Sequence, residues 1–152
     1  MSRIVIFGID GASLKLIEQW KGDLPNFRRI MENGVYGELE STIPPITCPA
    51  WPSMFTGKNP GKLGMYNFVG FKFGKEQRPR IFNSTDWHNY ALWKILNEYG
   101  LKAGVFNVPI TFPPHKIDSF MVCGTGTPVP SRTSYTYPPE LAKTLDNLVV
   151  AI

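Results

Sequence analysis

Cysteine and histidine are scarce in this chain, with two of each in 152 residues. Cys48 and Cys123 lie far apart and form no metal-type or redox-type pair, so a cytosolic (cytoplasmic) setting fits. Long hydrophobic runs are missing too. The apolar start, Arg3–Gly8, is closed off by Asp10, which is too short for a signal-peptide core or a membrane span; a soluble protein with no membrane partner is expected. No block of like charge occurs. The net +4 is scattered over residues such as Arg28, Arg29, Lys58, Lys62, Lys72, Lys75, Arg78 and Arg80. With no basic helix and no RNA-binding motif, nucleic acid is not expected as a specific partner. A mildly basic surface suits a phosphorylated small-molecule substrate and equally a plain solvated surface. Repeats and low-complexity segments are absent. What is present is 43% hydrophobic and 13% aromatic residues, enough for one globular domain with a sizeable core. Fourteen Gly and fourteen Pro, sitting mostly between periodic segments, predict long ordered loops.

The pattern along the chain alternates strands and helices. Arg3–Gly8 reads as a buried strand running into Asp10 and Gly11. Leu14, Ile17 and Trp20 recur at helical spacing over Ser13–Trp20. A second helix begins at Pro25, with Phe27, Ile30 and Met31 as its stripe and Gly34 as its cap. Val35–Thr42 alternates like a strand, and the loop Ile43–Ile46 leads to a helix from about Pro49 to Thr56, with Thr47 or Cys48 near its N-cap and Gly57 at its end. Residues 58–84 hold no period and read as a Gly/Pro-rich excursion. A helix is predicted over Asp86–Tyr99 with Leu92, Ile95 and Leu96 on one face, then strands at Lys102–Val108 and Ser119–Cys123, a loop over Gly124–Pro139, and a helix over Glu140–Val150. That final stripe has no closing Gly or Asn, so the chain reads as cut from something longer. The fold class expected is α/β, with a mainly parallel sheet sandwiched by helices and a ligand crevice at the C-terminal strand ends, where Asp10 and Thr47 fall.

Asp10, following the first strand and preceding Gly11, is placed either to hold a divalent cation at the sheet edge or to cap the next helix. Thr47 offers a hydroxyl behind a Pro-stiffened loop at a helix start. There it serves as an ordinary cap, or it faces an anion held by N–H groups and the helix dipole and, beside a metal ion, acts as a nucleophile. Cys48 is a rival thiol nucleophile, though a buried Cys behind the loop is the usual outcome. His88, in DWHNY, and His115, in PPHK, lack flanking carboxylates and read as surface or capping residues, with a substrate contact open to either. GKNPGK at 57–62 lacks phosphate-loop spacing and reads as a turn. Trp51, Tyr66, Phe68, Phe71 and Phe73 read as local core under a long loop rather than a stacking surface.

Three segments carry a resemblance: FGIDG at 7–11, LPNFRRIMENG at 24–34, and STIPPITCPAWPSMFTGKNPGKLGMYNF at 41–68. Together with FNVPITFPP at 106–114 and YTYPPEL at 135–141, they are similar to the type I phosphodiesterases and nucleotide pyrophosphatases of the alkaline phosphatase superfamily, and resemble most its predicted phosphohydrolases or phosphomutases. The resemblance implies an alkaline phosphatase-like core, of which residues 1–152 would be the N-terminal part, and two divalent metal ions, zinc or else manganese. It implies Asp10 as a metal ligand and Thr47 as the metal-bound nucleophile. Phosphoester hydrolysis would then pass through a phosphothreonine-type ester.

Two departures bear on this. Ala50 stands three residues after Thr47, where nucleotide pyrophosphatases of eukaryotic type carry Asn, and no Asp–His pair follows Thr47. The isolated 152 residues are therefore expected to bind zinc or manganese weakly and to hydrolyse phosphoesters poorly or not at all. The alternative function is a non-catalytic module that binds a phosphorylated ligand. A sulfatase-like reading fails on the C/S-x-P-x-R motif, since Cys48 is followed by Pro49, Ala50 and Trp51, and cofactor-independent mutases use Ser as nucleophile.

Overall fold

The computed structural model describes residues 3–71, 78–128 and 134–146. It divides into two compact units, Met1–Glu40 and Ser41–Ile152.

The first unit holds helices α1 (Leu14–Trp20) and α2 (Pro25–Asn33). Ser13 opens α1 from extended backbone, its hydroxyl accepting the Leu16 N–H at 3.3 Å. Pro25 begins α2, where its missing N–H would have had no helical partner anyway. Phe27 and Met31 of the predicted stripe are half-buried, while Ile30 is exposed. Gly34 ends the helix, and an added Cβ there would come within 2.9 Å of the Ile30 carbonyl oxygen.

Two expected strands do not form. Arg3–Gly8 joins no ladder and is exposed throughout, Phe7 at 89%, and Val35–Thr42 likewise joins none, with Leu39 at 95%. A strand is completed by a neighbour's N–H and C=O groups, and β-propensity supplies only one side of that pairing. All sheets among the described residues form beyond residue 68.

The second unit begins with α3 (Thr47–Thr56), stopped by Gly57 at φ +66, whose N–H reaches the Ser53 carbonyl at 2.9 Å. A one-turn helix α4 (Pro60–Leu63) follows, capped by the Asn59 side chain on the Lys62 N–H at 2.9 Å. GKNPGK is thus a turn followed by a helical turn. The excursion read as aperiodic contains an antiparallel ribbon, β1 (Val69–Phe71) with β2 (Pro79–Ile81), Val69 opposite Ile81.

The helix expected over Asp86–Tyr99 is three pieces: 3-10 turns at Ser84–Asp86 and His88–Tyr90, then α5 (Leu92–Glu98). Asn83 and Asp86 form a reciprocal capping box, and Trp87 leaves helical geometry at φ −138 between the two turns. That break lets its indole bury and donate to the Ile110 carbonyl at 3.0 Å. On α5 the buried side chain is Trp93, whereas Leu92 and Ile95 of the predicted stripe are exposed.

Strand β3 (Gly104–Val108) pairs parallel with β4 (Phe120–Cys123), and β5 (Thr136–Tyr137) pairs antiparallel with β4; α6 (Leu141–Asp146) follows, the rest of its predicted span lying outside the described residues. The sheet is mixed, a correction to the mainly parallel expectation. That expectation rests on alternating strands and helices, and the alternation stops at β3: no helix lies between β3 and β4, nor among the described residues between β4 and β5. The result is a small α/β fold with mixed sheets, in which a helix-covered parallel sandwich is only partly present. Cys48, Phe55, Met65, Trp87, Trp93, Val105, Ile110 and Met121 belong to one buried cluster. At its centre Trp93 meets Phe55 at 5.2 Å and the edge of Trp87 at 5.4 Å. Trp51 and Phe68 pack against this core as expected, Tyr66 and Phe71 are exposed, and Phe73 lies outside the described residues.

Candidate functional site

Thr47 is the first residue of α3, and the N-cap before it is Ile46, which has no side chain able to cap. Two backbone hydrogen bonds and a proline shape this helix start. The Ile46 N–H bonds the Pro44 carbonyl at 3.0 Å, Pro49 has no N–H, and the Ala50 N–H closes the first helical turn on the Ile46 carbonyl at 3.0 Å. The first turn of α3, with Thr47 and Cys48, lies where the helix dipole is positive. The approach loop is pinned as well, since the Thr42 hydroxyl donates to the same Pro44 carbonyl at 2.9 Å. Below this edge Cys48, Pro49 and Pro52 are buried, so the helix is anchored on its inner side while Thr47 is half-buried at its tip.

Asp10 occupies a turn with Gly11 at φ +70, in the first unit. It does not follow a strand, and the cap of α1 is Ser13. Thr47 belongs to the second unit.

The thiol reading of Cys48 is overturned. Its side chain is wholly buried, and burial pushes the thiol up to about 11, with the nearby Asp86 charge adding to the effect. A thiolate nucleophile needs the opposite environment.

The two histidines, read separately from the sequence, stand together with ring centroids 5.7 Å apart. The Trp93 Nε1–H donates to His115 Nδ1 at 2.7 Å. Since an indole nitrogen only donates, Nδ1 carries no proton and the ring is the neutral Nε2–H form. That Nε2 is buried and makes no well-formed hydrogen bond, with the Ser84 backbone as a polar neighbour of the ring. Burial, then the His88 charge, lowers His115 to about 4. Metal ligation through Nε2 would require the other tautomer and loss of the Trp93 bond, so His115 is a core residue of the aromatic cluster. His88 faces the Thr85 carbonyl at 3.1 Å through Nδ1, a local turn contact. Lys58, from the GKNPGK turn, lies over the Tyr90 ring at 3.0 Å, and Arg80 pairs with Asp86. The sequence signal for the histidine pairing is faint: buried Trp N–H groups need acceptors, but nothing in the spacing says which.

Residues 4–150 match the sequence model of the family described as type I phosphodiesterase / nucleotide pyrophosphatase. The chain belongs to this family. No curated protein and no solved structure matches it. Membership makes its chemistry that of a phosphodiesterase or pyrophosphatase type of hydrolase acting on phosphorylated small molecules. Type I phosphodiesterases and nucleotide pyrophosphatases are generally metal-dependent. Among the described residues, however, no group of three or more His, Cys, Asp or Glu side chains could hold a metal ion. Asp10 and Thr47 offer one carboxylate and one hydroxyl, too few donors for two divalent cations. No helix among the described residues is long and apolar enough to cross a membrane.

Proposed function

We propose that this phosphodiesterase-family chain is a phosphoester hydrolase, of phosphodiesterase, nucleotide pyrophosphatase or phosphomutase type, in which Thr47 is the nucleophile. The family match over residues 4–150 supports the reaction class, and the start of α3 supports the residue. The Thr47 hydroxyl sits on the first residue of α3, where the helix dipole is positive, a position that favours phosphoryl oxygens. In this reading the Thr47 oxygen forms a bond to phosphorus as the ester oxygen departs with the electron pair. Water then cleaves the threonine phosphoester and regenerates the hydroxyl. Asp10 supplies one carboxylate toward divalent cations, zinc or manganese, and the described residues contain no further group fit for them. Ala50, one helical turn on from Thr47, brings no polar group to a phosphoryl oxygen, which argues against a strict nucleotide preference. Both cysteines are buried free thiols, in keeping with a cytoplasmic setting.

The test is hydrolysis of chromogenic phosphate mono- and diesters by the natural full-length protein with added zinc or manganese. Thr47→Ala should lower turnover by a factor of about a thousand or more, and the diester-to-monoester ratio then names the branch. An inert full-length protein would leave the chain a binder of phosphorylated ligands, and hydrolysis indifferent to Thr47 would remove Thr47 as the nucleophile.

A further inference from the structure

The FNVPITFPP segment, residues 106–114, ends β3 and runs on past the C-terminal ends of the only parallel strand pair among the described residues, the edge where open α/β sheets bind ligands. Its backbone is unusual at two places. Asn107 is the residue skipped where the β3–β4 register shifts between Phe106 and Val108, and it sits at φ +56. Ile110, β-branched and buried, sits at φ +61, a region that such side chains rarely enter.

The surroundings impose this shape. The Ile110 N–H bonds the Thr125 carbonyl at 2.9 Å, and its own carbonyl takes the Trp87 indole. The buried Thr111 hydroxyl donates to the Val108 carbonyl at 2.5 Å and accepts the Gly124 N–H at 3.1 Å. Ser84 holds the far side, its N–H on the Phe112 carbonyl at 2.8 Å and its hydroxyl on the Pro113 carbonyl at 2.5 Å. Gly124 packs so closely that a Cβ would lie 2.7 Å from the Asn107 carbonyl carbon. Strained backbone of this kind persists only where it is over-determined, and bulges of this kind re-aim a side chain. The side chain re-aimed here is Asn107, which is exposed, whose carboxamide bonds no described residue.

Resting on the reading of a phosphoester substrate given above, we infer that Asn107 is a substrate-contacting residue, its carboxamide presented to the oxygen atoms of the phosphorylated substrate. A carboxamide both donates and accepts, so it suits a phosphoryl oxygen or a neighbouring hydroxyl. The stretch Ser84–Trp87 links the two places, since it pins the strained loop and also brings Asp86 to bear on Cys48, next to Thr47.

The experiment uses the natural full-length protein labelled with 15N-threonine and 15N-asparagine, titrated with phenylphosphonate in the presence of zinc. The expected result is that the Thr47 backbone amide and the Asn107 side-chain NH2 shift together with one dissociation constant. Asn107→Gly, which keeps positive φ and deletes the carboxamide, should weaken binding about tenfold or more with thermal stability unchanged. If Thr47 shifts while Asn107 stays still, or if Asn107→Gly binds as tightly as the parent, the Asn107 inference falls and the Thr47 reading stands. A shift at Asn107 alone keeps the ligand contact and removes Thr47 from the site. No shift at either overturns both.

Discussion

Lowering the pH from 7 to 5 should destabilise this protein by about 2 kcal/mol through His115 alone. The imidazole is neutral because Trp93 donates to Nδ1, while Trp87 and His88 pack against the ring and Lys94 adds positive charge nearby. Burial is the largest influence and holds the folded value at about 4, against an ordinary 6.5. The unfolded chain therefore binds the proton more readily. The stabilisation is complete above pH 6.5, declines as the pH falls, and is gone once the pH passes below about 4. The full swing is about 3 kcal/mol, of which about 2 lies between pH 7 and 5. Carboxylates also titrate toward the acid end, so the assay is a difference: urea midpoints at pH 7 and pH 5 for the protein and for His115→Gln, whose amide oxygen still accepts from Trp93. The parent should lose about 2 kcal/mol more than the variant. Equal losses, or an NMR titration of His115 near 6.5, would refute the argument from burial.

Two further outcomes follow from packing. Gly124→Ala would place a Cβ 2.5 Å from the Val108 carbonyl oxygen and should cost about 1–3 kcal/mol in denaturant unfolding, because the obstacle is backbone and cannot rotate away. Cys48→Ala should leave phosphoester turnover within about twofold of the parent while lowering stability by about 1–2 kcal/mol. Loss of turnover at unchanged stability would return the thiol to the mechanism.

The local signals in the sequence translated well where they were self-contained. Pro25 and Gly57 open and end the helices their chemistry suits, because such a signal needs only its own neighbouring turn, whereas the cap of α1 is Ser13 and not Asp10. The strands at 104–108 and 120–123 were legible from their apolar runs. Arg3–Gly8 and Val35–Thr42 were not, since their strand character depends on partners that no local pattern specifies. Asp86–Tyr99 failed for a different reason: burying both Trp87 and Trp93 outweighed helical continuity. At the site, the position of Thr47 at a helix start was readable from the Pro-rich loop and Pro49. The His88–His115 contact and the strained 107–111 turn arise from tertiary packing, and neither has a signature in spacing.

The most direct test of the central claim is covalent. The natural full-length protein is turned over with a phosphodiester, quenched in acid and digested, and the peptide spanning Thr47 is sequenced by mass spectrometry. A phosphoryl group on Thr47, absent from Thr47→Ala, is the result predicted here. Turnover without a modified Thr47 under rapid quench, together with full activity in Thr47→Ala, would contradict it.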